Sequence, residues 1–214
     1  MKNEKHSDNK TSGKRKHEVR RHAKEDLYEP LPVSLYKRLP WLCALFGLGM
    51  AVSGVAGLFE EVTALLPVAI SFQPLILGMA GNVGTQSLAV TIRILLTEQL
   101  SAKEKMRLVL KEARVGAAVG ALLGALSILL VSAYLYLVKS YTAALSFSFA
   151  ACTAAALSVS VFLSSISAVS IPLLFKKLGI DPAVASGPFI TTINDLVAVL
   201  TYYGLAWMMI ARLM

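Results

Sequence analysis

Charged residues are scarce in this sequence and almost missing from five long apolar stretches. Only 16% of the 214 residues are charged, whereas 56% are hydrophobic and the mean hydropathy is +0.63. About a quarter of the residues of a soluble globular domain are charged. Apolar stretches of roughly 20 residues match the ~30 Å hydrocarbon core of a bilayer. The scarcity of charge therefore predicts an all-α integral membrane protein and excludes an ordinary soluble domain.

Cysteine and histidine, which supply many metal sites, are also scarce. Cys43 and Cys152 both fall in apolar stretches, so a disulfide framework or a cysteine metal site has no support. The histidines are His6, His17 and His22, all in the polar N-terminal segment. The sequence contains no nucleophile–base pair, phosphate-binding loop or zinc motif. It therefore predicts no enzyme.

The charges that are present are concentrated at the N-terminus. The first 38 residues contain 11 of the 21 Lys and Arg and 6 of the 13 Asp and Glu. This composition predicts a disordered, basic tail over residues 1–38 and a membrane domain over residues 39–214. The sequence pI near 9.6 then reflects basic residues that stay on the cytoplasmic side of the membrane. Nucleic acid is not expected as a partner.

Five apolar segments are predicted to cross the membrane as helices. They cover residues 40–59, 63–96, 115–138, 143–175 and 183–210. The second is too long for one straight crossing, and Pro67, Pro74 and the glycines that follow offer places for a break. The third carries Gly116, Gly120 and Gly124 at intervals of four residues. This ridge of small residues predicts close helix packing in lipid.

The loops between the segments predict the orientation. The loops over residues 97–114 and 176–182 carry an excess of Lys and Arg, as cytoplasmic loops do. We therefore expect a multi-pass protein of the plasma membrane with a cytoplasmic N-terminus and an outside C-terminus. Residues 101–114 fit either a short amphipathic helix on the cytoplasmic surface or an ordinary loop.

One aspartate, Asp195, interrupts the fifth apolar segment near its middle. An aspartate at that depth costs about 2.5–3.5 kcal/mol on insertion scales, and such residues face a protein interior or a water-filled cavity. The residues predicted to share or flank its helical face are Gly187, Thr191, Thr192, Asn194, Ala198 and Tyr202. This face is small and hydroxylated around a single acid, which suits water and a cation.

The second segment carries a matching polar stripe. Its members, three or four residues apart, are Gly78, Asn82, Gln86, Ala89 and Arg93. Two apolar segments that bear polar groups and are interrupted by Gly or Pro indicate a transport site. A pairing of Asp195 with Arg93, or hydrogen bonds that only pack helices, remains an alternative. The oxygen-rich chemistry favours a divalent cation such as Mg²⁺, with monovalent ions and protons still open.

Two motifs carry a resemblance to a known family. PLILGMAGNVGTQSLAVTIR and LGIDPAVASGPFITTINDL resemble the membrane domain of the MgtE family of magnesium channels and transporters, over about residues 39–209. The resemblance implies a homodimer of five-helix protomers with an ion path near the dimer axis, lined by the second and fifth helices. The pore acid of the family falls on Asp195, and its second-helix motif falls on Gly78, Gly81, Asn82 and Gln86.

From the residues and the resemblance together, we expect a channel for hydrated Mg²⁺, the transported ion. The residues expected to bind the metal are Asp195, Thr191, Thr192 and Asn194. The residues expected to line the pore are Gly78, Gly81, Asn82, Gln86, Gly187 and Ala198. The alternatives are a Na⁺-coupled Mg²⁺ exchanger and a pore subunit that needs a regulatory protein.

The resemblance covers the membrane domain only. Family members typically carry a soluble N-terminal domain and a pair of CBS domains, whereas a basic tail precedes the first predicted helix here. We therefore expect gating by intracellular Mg²⁺ to be missing or supplied by a separate CBS-type regulatory protein. The other expected partners are membrane lipid and a second copy of the chain.

Overall fold

The computed structural model of the chain describes residues 27–213, without the side chains of residues 182–186, 188, 212 and 213. This part of the chain is helical and contains no strand. Its helices are α1 (Leu31–Gly57), α2 (Glu60–Leu65), α3 (Val68–Thr97), α4 (Ala102–Leu137), α5 (Ala143–Lys177) and α6 (Pro182–Leu213). All except α2 are long and apolar enough to cross a membrane, α6 through its stretch Phe189–Ala211. The prediction of an all-α protein with five membrane helices is confirmed.

The first membrane helix begins earlier than the sequence predicts. It starts at Leu31, whereas the predicted first span began at Pro40, which lies inside the helix. A proline inside a helix removes a backbone hydrogen bond and crowds the preceding turn, so in a sequence it resembles a helix start. The last residues of the predicted tail are therefore helical, and residues 1–26 lie outside the described part of the chain.

The second apolar segment breaks once, at its first proline. α2 ends at Leu65 and α3 begins at Val68, so the break falls at Pro67. Pro74 lies inside α3, which continues without interruption through the following glycines to Thr97. Of the predicted bending points, Pro67 is the one at which the helix breaks, between the short α2 and the long α3.

The charged segment before the third apolar stretch is the first part of a long helix. α4 begins directly after Ser101, whose hydroxyl accepts a hydrogen bond from the backbone N–H of Glu104. The Glu104 carboxylate in turn accepts from the backbone N–H of Ser101 at 2.8 Å, which completes a capping box. Residues 102–114 are therefore helical and continuous with the membrane span. The prediction of a separate surface helix or a loop is wrong.

Contacts divide the chain into two compact units, Met1–Ala44 and Leu45–Met214. In the first unit, the described side chains are mainly exposed and the Lys37 ammonium forms an ion pair with the Glu29 carboxylate. The second unit contains the hydrophobic core. Its larger cluster includes the buried residues Ile76, Val83, Phe149, Val161, Ala198 and Tyr202. Its smaller cluster is formed by Leu88, Ala168 and Ile190.

The α5 helix is the most buried helix of the second unit, and the glycine ridge of α4 packs against it. In the most apolar stretch of α5, 44% of the residues are buried, compared with 28% in α4. A Cβ atom built on Gly120 would lie 2.8 Å from the backbone oxygen of Ser158. The Ser158 hydroxyl donates a hydrogen bond to the Gly120 carbonyl at 2.8 Å. The predicted role of the ridge in close helix packing is confirmed.

The α3 and α6 helices run antiparallel, and three contacts fix their register. The Tyr202 hydroxyl donates to the Ala69 carbonyl at 2.8 Å, in the first turn of α3. The Tyr203 hydroxyl donates to the side-chain oxygen of Gln73 at 2.6 Å. Farther along the pair, Asn194 reaches α3 at Gly84, as described below. These contacts place the middle of α6 beside the middle of α3.

Candidate functional site

The polar stripe of α3 lies on the surface of the protomer. All five predicted members are exposed, namely Gly78, Asn82, Gln86, Ala89 and Arg93. Thr85, between two of them, is exposed as well, and Gly81 is partly exposed. Neutral amides on the outside of a membrane helix would be costly against lipid, where nothing satisfies their hydrogen bonds. This face of α3 therefore requires water or another protein surface beside it.

The opposite face of α3 is packed against α5 and α6. Its buried members are Ile76, Ala80, Val83, Gly84, Ser87, Leu88, Thr91 and Leu95. Gly84 is the point of closest approach, because a Cβ atom built there would lie 2.3 Å from the Ser164 Oγ and 2.4 Å from the Asn194 Nδ2. Only glycine leaves room for both polar side chains at this position.

These side chains form a polar layer between the two apolar clusters, which we call the Gly84 layer: Gly84, Ser164 and Asn194. Ser164 donates its hydroxyl hydrogen to the Ala80 carbonyl at 2.6 Å. Asn194 is only 1% exposed, and neither its Oδ1 nor its Nδ2 has a hydrogen-bond partner among the described residues. A buried amide without partners costs about 1–3 kcal/mol. The fold thus tolerates a polar side chain directly beside Asp195.

Asp195 lies at the level of the exposed amides of α3. It follows Asn194, which meets α3 at Gly84, while Asn82 and Gln86 are each two residues from Gly84. At 1.5 Å per residue, each amide lies within about 3 Å of the level of Gly84 along the helix axis, on either side of it. The structure therefore brings the acid of α6 and the amides of α3 to one depth in the membrane.

The Asp195 side chain is partly exposed and unpaired within the described part of the chain. Arg93 lies nine residues beyond Gly84 on α3, about 14 Å farther along the helix. That separation is too large for the structural ion pair that the sequence left open. In a membrane, a carboxylate in this state needs water or a cation beside it.

The hydroxyl groups near Asp195 are partly accessible. Thr191 and Thr192 are both partly exposed, as is Gly187. The Thr191 hydroxyl donates to the Gly187 carbonyl at 3.2 Å, which leaves its oxygen lone pairs available to accept a hydrogen bond or bind a cation. This part of α6 combines a carboxylate with threonine oxygens, which are hard ligands suited to Mg²⁺.

Two of the predicted site residues lie inside the protomer. Ala198 is 0% exposed and belongs to the larger apolar cluster, and Asn194 belongs to the Gly84 layer. The helical face predicted around Asp195 is therefore open only on the Gly187 side. On the other side, the core encloses it through Ala198 and Tyr202.

Sequence reasoning treated Gly84 only as one of the places where the second segment could bend, and it assigned no role to Ser164. The signal for Gly84 was its position three residues after Gly81, within a motif that already contained Asn82 and Gln86. Ser164 gave no separate signal, because α5 contains many serines. Nothing in the local sequence distinguishes Ser164, which faces α3, from the other serines of α5.

The described residues of one protomer do not form a complete metal cage. Among the described residues, no group of three or more His, Cys, Asp or Glu side chains is placed to hold a metal ion. Asp195 is the only carboxylate in the middle of the membrane spans. A site with one carboxylate and hydroxyl groups suits a cation that keeps most of its water, as Mg²⁺ does.

Comparison with known proteins adds the family relationship. The sequence model of the MgtE family, described as a divalent cation transporter, matches residues 73–205. This match includes the α3 stripe, the Gly84 layer and Asp195. The description is that of a transporter and not of an enzyme, in agreement with the prediction from the sequence.

Three curated relatives are similar over most of the chain. All are named magnesium transporter MgtE. The Bacillus subtilis protein is 37% identical over 174 residues, 81% of this chain and 37% of the relative. The Enterococcus faecalis protein is 38% identical over 172 residues, 80% of this chain and 36% of the relative. The Thermus thermophilus protein is 32% identical over 176 residues, 82% of this chain and 37% of the relative. The chain thus spans little more than a third of the length of each.

Proposed function

The chain belongs to the MgtE family, and on that premise we propose that it conducts hydrated Mg²⁺ across the membrane. The path runs along the exposed stripe of α3 and the partly exposed stretch of α6 around Asp195. The observation that supports this proposal most is the exposure of Asn82 and Gln86 at the depth of Asp195. Polar groups that face outward at this depth would be costly against lipid, so we infer that water or a protein surface adjoins them.

The ion contacts Asp195 and the threonine oxygens of α6 through its hydration water. Mg²⁺ dehydrates reluctantly and is usually held by one or two carboxylates and several waters. The amides of Asn82 and Gln86 can donate and accept hydrogen bonds, so they can replace part of the outer hydration shell. Asn194, on the buried side of α6, positions this helix against Gly84. Ala198 packs into the larger apolar cluster and stabilises the same helix.

A homodimer completes the path. A single Asp195 neutralises one of the two charges of Mg²⁺, whereas two copies around an axis supply two carboxylates. In a dimer, the exposed stripes of two α3 helices would face each other across the same water-filled space. The membrane domain lies in the plasma membrane, with the α3–α4 and α5–α6 connections on the cytoplasmic side, because those connections are basic.

Flux measurements test the proposed transport directly. We expect purified protein in proteoliposomes to pass Mg²⁺ down its gradient when no Na⁺ or proton gradient is present, as detected by an enclosed Mg²⁺-sensitive dye. Flux that strictly requires a Na⁺ gradient would identify the exchanger. An absence of flux in all conditions, together with correct folding, would favour a subunit that needs a regulatory partner.

Cysteine accessibility tests the position of the path without relying on flux. In a background with Cys43→Ser and Cys152→Ala, we expect Gln86→Cys to react with a charged, membrane-impermeant thiol reagent at least about tenfold faster than Leu122→Cys. The thiolate is the reactive form and requires water. Leu122 is 72% exposed on α4, so it matches Gln86 in accessibility to small molecules but belongs to an apolar surface.

The outcome is read from the ratio of the two labelling rates. Mg²⁺ in excess should slow the labelling of Gln86→Cys and leave that of Leu122→Cys unchanged. Equal, slow labelling of both positions would place the α3 stripe against lipid and would remove the support for the path.

A further inference from the structure

A basic cavity lies at the end of the bundle where α3 ends, α4 begins and α5 ends. Its volume is about 320 Å³, and it is lined by Leu95, Gln99, Leu100, Lys105, Leu173, Lys176 and Lys177. This volume is in the range of small-molecule sites, which start at about 300 Å³. We propose that this cavity binds a phosphate group, and specifically the headgroup of an anionic phospholipid.

The charge of the lining favours an anion. Three ammonium groups share the cavity, and no carboxylate is among its described lining residues. Glu104, the acid in the first turn of α4, is held at the helix start by Ser101, whose backbone N–H and hydroxyl donate to its carboxylate. Like charges that share a cavity repel one another, and a bound anion removes this repulsion.

One of the lysines already has a fixed position. Lys176 donates a hydrogen bond to the Leu95 carbonyl at 2.8 Å, near the C-terminus of α3. An ammonium group has three donors, so two remain for a ligand. This contact joins the ends of α3 and α5 beside the cavity. Lys105 and Lys177 are exposed and can approach a ligand from either side.

The other residues of the lining favour a lipid over a free phosphate ion. Leu95, Leu100 and Leu173 form an apolar wall at the ends of membrane-spanning helices. A phospholipid presents its phosphate at this depth and its acyl chains beside such a wall. Basic pockets between membrane helices commonly bind anionic headgroups for this reason. Gln99 supplies a neutral donor for the glycerol or phosphate oxygens.

Binding of short-chain phosphatidylglycerol to the full-length, delipidated protein in detergent tests the proposal, with phosphatidylcholine of the same chain length for comparison. Native mass spectrometry counts the bound lipids. Each lysine near an anionic headgroup contributes about fivefold in affinity. The double variant Lys105→Gln/Lys177→Gln is therefore expected to bind phosphatidylglycerol about 25-fold more weakly. Lys176 is left unchanged, because its loss would also remove the contact with Leu95.

The matched control is Lys103→Gln/Lys139→Gln, which removes the same charge from two exposed lysines outside the cavity. It should change the affinity less than twofold, and both double variants should unfold at the wild-type temperature. Inorganic phosphate at millimolar concentration forms the second arm. Competition by phosphate alone, with the same lysine dependence but no lipid binding, would identify a soluble phosphate as the source. Equal weakening by both double variants, or equal binding of phosphatidylcholine, would overturn the proposal.

This proposal is independent of the ion path, since lipid binding is measured without transport. A protein that binds phosphatidylglycerol through these lysines and passes no Mg²⁺ would refute only the proposed function. One that conducts Mg²⁺ without this lipid selectivity would refute only the basic cavity as a lipid site.

Discussion

Replacement of Asp195 by asparagine is expected to lower Mg²⁺ flux into proteoliposomes by at least about tenfold. The change removes the only negative charge at the centre of the proposed path and keeps the shape of the side chain. A loss of about 1.4 kcal/mol in the interaction with the cation already corresponds to a factor of ten. The carboxylate makes no ion pair with the described residues, so its removal should leave the bundle intact.

The control for this variant is Asp181→Asn, which removes the same charge from the exposed connection before α6. It should conduct at the wild-type rate within about twofold. Asp195→Glu keeps the charge but lengthens the side chain, and we expect it to retain more flux than Asp195→Asn. Wild-type flux in Asp195→Asn, with an unchanged dependence on Mg²⁺ concentration, would remove Asp195 from the mechanism.

Replacement of Gly120 by alanine is expected to destabilise the membrane domain. The added methyl group would lie 2.8 Å from the backbone oxygen and 3.2 Å from the Cα of Ser158, so the backbone of α5 must move. Overpacking of this kind typically costs about 1–3 kcal/mol, which corresponds to a decrease of roughly 2–12 °C in Tm for a chain of this size. Gly120→Leu should prevent the helices from packing at all.

Thermal unfolding in detergent, followed by the fraction that remains monodisperse on size exclusion, measures this effect. Gly49→Ala is the matched control, because Gly49 also lies in a membrane helix and a Cβ atom there meets nothing within 4 Å. Its Tm should stay within about 2 °C of the wild type. If Gly120→Ala is as stable as Gly49→Ala, the close packing of α4 on α5 does not contribute to stability.

The two faces of α3 show what the spacing of residues in a sequence can and cannot predict. The spacing of Asn82 and Gln86 placed them on one helical face, and the structure exposes that face. The same spacing could not show that Gly84, on the other side, meets Asn194 and Ser164. Helical periodicity gives the direction of a side chain around the axis of its helix. Which residue that side chain contacts depends on how the neighbouring helices are placed.

The start of α4 shows a limit of prediction from hydropathy. Its first three turns are charged, so the apolar pattern placed the membrane span at residue 115 and left the preceding segment undecided. The capping box at Ser101 was present in the sequence and marks the observed start of the helix. The buried stripe from Leu108 through Glu112 to Gly116 then carries the helix without interruption into the glycine ridge. A hydropathy pattern detects where lipid begins and does not detect where a helix begins.

By itself the sequence determined the membrane class, the number of spans, the ridge of small residues and the single acid in the last span. These follow from composition and periodicity, because a bilayer admits only long apolar segments whose backbone groups are bonded internally. Tertiary structure alone decided that Asn194 and Ala198 turn inward while Asp195 stays partly exposed. That choice depends on the rotation and register of α6 against α3, which are set by contacts between residues more than a hundred positions apart, such as Tyr202 with Ala69.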